Sequence, residues 1–156
     1  MRAVWWFRAA AIVLIAFAAL HTVGFLGFRP PTPEGEAVWD SMQRVHFAVK
    51  GSSFSYGDFY VGFGLFATVF LLLSAYLAWT IGGISTRTPE VAAHLGWALF
   101  AAQIAGLALS WMYFSAGPAI FSGIVAVCFG WGAVCSQSRG QTHSRAITSC
   151  SETPGI

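Results

Sequence analysis

The chain has 156 residues, of which 56% are apolar, 16% aromatic and only 9% charged. An ordinary soluble domain is roughly a quarter charged, so that class is excluded, and the apolar and aromatic content excludes a disordered chain. The formal net charge of +2 is too small and too scattered for a nucleic-acid footprint, so no nucleic-acid partner is expected. What remains is a small integral membrane protein.

In chain order, four windows are apolar enough for spans of about 20 residues. The first, about 9–28, has no charged residue, and Trp5, Trp6 and Arg8 sit at its near edge. Ala16-Phe17-Ala18 offers a signal-peptide cleavage pattern, but the apolar run continues to Phe28, which favours a retained helix. The external loop that follows opens with Pro30, Pro31 and Pro33. From Glu34 to Val49 it sets Val38, Trp39, Met42, Val45, His46 and Val49 at helical spacing, with Glu36, Asp40, Gln43, Arg44 and Lys50 on the other side. That pattern predicts a short amphipathic helix, on the membrane surface or across the mouth of the bundle. Gly51-Ser52-Ser53 then loosens the chain.

The second window, about 59–81, ends at Gly82-Gly83. Thr88-Pro89-Glu90 supplies a capping hydroxyl, a first-turn proline and a first-turn acid for the third, about 91–113. Ser115-Ala116-Gly117 permits only a tight antiparallel turn into the fourth, about 118–134, which is shorter. No window alternates as a membrane β-barrel strand would. Ala98, Ala102, Gly106 and Ser110 form a strict i, i+4 stripe on the third helix, and Ser122, Ala126 and Gly130 repeat it on the fourth. Such stripes pack helices in lipid, within one chain or in a homodimer. The Ser/Thr-rich segment 136–156 reads as a disordered tail.

The expected fold is therefore all-α: a four-transmembrane-helix bundle over 1–135 with a short amphipathic helix in its first loop. Arg2, Arg8, Arg87, Arg139 and Arg145 flank one side, whereas Arg29, Arg44 and Lys50 on the other are diluted by Glu34, Glu36, Asp40 and Asp58. The positive-inside rule then puts both termini in the cytoplasm of an inner-membrane protein and the first loop outside.

Ionisable groups in spans are candidate sites because their burial is costly. His21 and His94 qualify, and His21 falls in the outer half of the membrane. Asp58, Tyr60, Ser110 and Tyr113 reach a similar level, with Gln103 deeper. These six residues form a candidate ligand-binding cluster. Five of the six also have a structural explanation: interhelical bonding for His21 and Gln103, capping for Asp58, an aromatic belt for the tyrosines. A bis-histidine haem is excluded, since His21 and His94 differ in depth by roughly 15 Å. Metal-ligand spacing, zinc-protease motifs, paired acids and nucleophile elbows are all missing from the sequence. No cofactor, metal or catalytic residue is nominated, and an enzyme is the least favoured reading.

Leu20-His21, late in the first helix, and Asp58-Phe59-Tyr60-Val61-Gly62-Phe63-Gly64, opening the second, carry a likeness. They resemble the pattern of a family of small bacterial membrane proteins of unassigned activity. The likeness covers about 10–135 and implies four helices, a Pro-rich first loop and no chemistry. It points to His21 and to Asp58 with Tyr60. The expected partners are the lipid bilayer, a hydrophobic small molecule of lipid-like or quinone-like type, and a membrane-protein partner or second copy. The rival expectation is a purely structural subunit.

Overall fold

The computed structural model describes residues 2–151, with side chains as far as Gln141. Its elements are α1 (Arg2–Gly27), α2 (Pro33–Arg44), β1 (His46–Val49), β2 (Ser52–Ser55), α3 (Tyr56–Ile84), α4 (Pro89–Tyr113) and α5 (Ala116–Ser151). Four helices are long and apolar enough to cross a membrane: α1, α3, α4, and α5 as far as Gln141, with mean hydropathy between 1.5 and 2.3. The fold is all-α, with a short helix and a hairpin between the first two spans. The chain divides into two compact units, one from the N-terminus to Phe17 and from Leu73 onward, the other Ala18–Leu72.

In the first unit, all four long helices meet around one side chain. Phe7 of α1 is completely buried. A Cβ added to Gly96 of α4 or Gly132 of α5 would lie 3.0 Å from the Phe7 ring, and one on Gly82 of α3 would lie 3.4 Å from its Cβ. Glycine at 96 and 132 is what lets those backbones close on the ring, the packing mode that holds helices together in lipid, while Gly82 sits at ordinary contact distance from the Phe7 Cβ. Phe129 adds a tilted ring at 6.4 Å, and Leu14, Ala78, Ala92 and Val125 complete the core. Arg8 lies over the Trp79 ring at 4.8 Å, and Trp6 meets Trp131 at 6.2 Å.

The α4–α5 seam corrects the expected stripe. Gly96 lies against Ala133, Gly130 against Phe100, and Gly106 near the Ser122 hydroxyl, whereas Ala98 and Ala102 are exposed. A strict four-residue spacing advances about 40° per step around a helix of 3.6 residues per turn. The stripe therefore winds off the seam, and only its later members, Gly106 and Ser110, are partly buried.

α5 also continues beyond the expected end near Val134. Ser136 is buried and donates to the Gly132 carbonyl at 2.9 Å, and Ser138 donates to that of Val134 at 3.0 Å. Gly140 lies against Glu90, where an added Cβ would come within 3.0 Å. Serines bonded back to the preceding turn have no need to leave the helix. The backbone of α5 is helical as far as Ser151. The last part of the expected tail, 152–156, lies outside the described residues.

In the second unit, Thr32 caps α2 by accepting from the Gly35 amide at 3.2 Å. Pro33 starts the helix, Glu34 and Glu36 stand in its first turn and Arg44 in its last, each favourable toward the helix dipole. The helix does not run on to Val49 as expected. Val45 turns extended, and a hairpin follows with Phe47 opposite Phe54 and Val49 opposite Ser52. Lys50 and Gly51 both take positive φ, 48° and 87°, as a two-residue hairpin turn with the matching twist requires. Val38, Met42, Val45 and Val49 suit a helix, but Phe47 and Val49 equally suit one face of a strand. The Lys-Gly pair decides it.

Candidate functional site

The six candidate residues fall three in each unit. In the second unit, His21 projects from α1 toward the start of α3 and its Nε2 lies 3.1 Å from the Gly64 carbonyl. A carbonyl only accepts, so Nε2 carries the proton and donates. Beside it the Thr22 hydroxyl donates to the Ala18 carbonyl at 2.8 Å and therefore accepts from the Thr68 hydroxyl, also at 2.8 Å. Two polar ties thus join α1 to α3. Gly64 makes the approach possible: an added Cβ there would overlap the Phe25 ring.

From His21 a column of rings leads toward the loop. Phe25 stacks on His21 at 5.6 Å, Tyr60 meets Phe25 at 5.1 Å, Trp39 meets Tyr60 edge-on at 5.9 Å, and the Arg29 guanidinium lies 5.9 Å from the Trp39 ring. The column is aromatic along its length, with a cation at its loop end. The structure therefore links His21 and Tyr60 through Phe25.

Asp58 is engaged differently. Its Oδ2 accepts from the Ser55 amide at 3.1 Å and the Ser55 hydroxyl at 2.8 Å, while the Asp58 amide donates to that hydroxyl at 2.9 Å. This is a reciprocal capping box at the start of α3. Ser55 is buried although Asp58 is exposed. The Ser-x-x-Asp spacing was the sequence signal that could have revealed the pair.

Gln103, Ser110 and Tyr113 belong to the first unit. Gln103 and Ser110 are half-buried on the α4 face that meets α5, and Tyr113 is exposed beside Trp111, Met112 and Phe114 at the end of α4. His94 is exposed, with Nδ1 2.9 Å from its own helix's Glu90 carbonyl. Phe25, Thr22, Thr68 and Ser55 were not singled out from the sequence as site residues, and Arg29 and Trp39 were noted there only as a loop charge and an apolar position of the amphipathic helix. No spacing rule links them, because they come from α1, α2 and α3 and the links between these elements.

α2 adds a feature of its own. An open groove of about 460 Å³ runs along its apolar face, lined by Ala37, Val38, Ser41, Met42, Val45 and Tyr56. The Ser41 hydroxyl donates to the Ala37 carbonyl at 2.8 Å, so the lining is almost wholly hydrocarbon. Among the described residues no three His, Cys, Asp or Glu converge as a metal site.

Comparison with protein-family models, curated proteins and solved structures finds no match for the chain. The likeness seen in Leu20-His21 and in the Asp58–Gly64 motif thus identifies no family. What stands is an integral membrane protein with four spans in contact with the lipid bilayer.

Proposed function

We propose that the chain is a binding or accessory component of the inner membrane that receives the polar end of a lipid-like or quinone-like molecule. The observation that carries this reading is the ring column from His21 through Phe25, Tyr60 and Trp39 to Arg29. Ring faces suit a planar or branched apolar group, and the Tyr60 hydroxyl, Trp39 indole and Arg29 guanidinium offer donors to an oxygen-rich end. His21 positions the column through Gly64, and Asp58 fixes the start of the helix that presents Tyr60. The uneven arginine distribution favours both termini in the cytoplasm and the α2–hairpin loop outside. Gln103 and Ser110 are assigned a separate role as polar groups on the packed face of α4, and Tyr113 one in an interfacial aromatic belt.

The test compares lipids co-purified with the wild type and with His21→Ala, Tyr60→Ala and Arg29→Gln. One species, enriched on the wild type and lowered several-fold in Tyr60→Ala and Arg29→Gln, is expected. Identical extracts from all four proteins would overturn the reading. A structural subunit is the alternative, favoured by the exposed alanines Ala98, Ala101, Ala102 and Ala105 on α4. Its test is crosslinking in native membranes with Ala102→Leu, since Gly106 already packs within the chain.

A further inference from the structure

Among the described residues the apolar face of α2 is only partly covered: Met42 is half-buried, but Val38 and Val45 are exposed and the groove beside them is open. The surface it joins indicates what covers it. Tyr56, on the groove's rim, meets Phe47 at 5.0 Å; Phe47 meets Phe54 at 6.4 Å and Phe59 at 5.9 Å; Phe59 meets Phe63 at 4.6 Å. From Phe63 the exposed apolar surface continues along α3 through Phe66 and Phe70, each 61% exposed. Residues exposed in this way along a span face hydrocarbon. The groove is thus continuous with a lipid-facing surface.

Two further features place α2 at that boundary. The link from Phe28 to Thr32 reaches at most about 17 Å from the end of α1, and β2 passes directly into α3. Three of the four charges of α2, Glu36, Asp40 and Arg44, at four-residue spacing, lie on the side opposite Val38 and Met42, and Glu34, one turn before Val38, stands at the capped first turn of the apolar side. A soluble ligand or peptide would need hydrogen-bonding groups in the groove. Of the lining side chains only Ser41 and Tyr56 carry hydroxyls, and that of Ser41 is used within its own helix.

We propose that the α2–hairpin segment is a lipid seat: α2 lies in the headgroup region of the leaflet, with Val38, Met42 and Val45 toward the acyl chains of phospholipids, which fill the groove. This goes beyond the proposed ligand site and does not depend on it, because Val38, Met42 and Val45 are not part of the ring column and the seat takes the bulk leaflet rather than one bound species.

The test uses the full chain in phosphatidylcholine nanodiscs, with its native cysteines replaced and a bimane fluorophore on one introduced cysteine at a time. Brominated phosphatidylcholine should quench the label on Met42→Cys or Val45→Cys several-fold more than on Glu36→Cys or Asp40→Cys. Adding Val38→Asp should lower quenching at position 42 to the level seen at position 40. Equal quenching on both faces, or no response to Val38→Asp, would overturn the seat. A label at position 42 that is shielded from water yet unquenched would mean a protein partner covers the face, and would equally overturn it. Amide exchange across Phe47–Phe54 checks that the hairpin is intact in every variant.

Discussion

Phe7 and Phe25 lie on the same helix and both meet glycine, yet they do opposite things. Phe7 is enclosed by Gly82, Gly96 and Gly132 from three other helices and has no exposed surface. Phe25 leans on Gly64 alone and stays partly exposed between His21 and Tyr60. The first unit is held by close packing, the second by hydrogen bonds and ring contacts. Burial is concentrated in α5, half of whose most apolar window is buried, against 22% for α1, 17% for α4 and 11% for α3. Lipid tails are as apolar as leucine, so close fit and polar ties are what hold spans together. This chain uses one at each end of α1.

That contrast ranks the expected mutational effects. Phe7→Ala empties the centre of the first unit and should cost about 3 kcal/mol, read as a lowered unfolding midpoint in bicelles. A loss below about 1 kcal/mol would mean the helices close over the gap. Gly64→Ala comes next. It strikes a ring with room to move, so a cost of about 1 kcal/mol is expected. A change in the Tyr60 environment, seen by NMR of labelled tyrosine, should accompany it.

His21→Ala and Thr68→Val each remove one α1–α3 hydrogen bond. Such bonds in membranes average about 0.6 kcal/mol, so each variant should lose about that much, measured by the same unfolding. Their double mutant should show whether the two ties act independently. Asp58→Asn is expected to have the smallest effect on global stability. It should instead speed amide exchange at Ser55 and the first turn of α3, because the carboxylate that accepts both Ser55 bonds is weakened. Unchanged exchange there would show that the capping box contributes nothing to the helix start.

The spans were legible in the sequence because long uncharged apolar runs have no other stable use. The start of α4 was legible too, in Thr88-Pro89-Glu90, although the Thr88 side chain makes no capping bond to its helix. The hairpin was not, because His46-Phe47-Ala48-Val49 is too short to separate a period of two from one of 3.6. Nor was the Phe7 site, since Gly82, Gly96 and Gly132 share no spacing and meet only through tertiary structure. Small residues suggested helix packing, but the strict stripe through Ala98 and Ala102 chose the exposed side of α4. His21 and Asp58 stood out for their polarity. The structure gives both a bonding role that the sequence offered only as their plainer explanation.

The proposed role of the ring column in the second unit is to receive an amphiphile. It is tested most directly by native mass spectrometry of the full chain released gently from its own membrane, beside Tyr60→Ala and Arg29→Gln prepared alike. The expected result is one discrete added mass in the range of a lipid or quinone on the wild type, depleted in both variants. A bare wild-type chain, or an added mass equally present in all three, would contradict it.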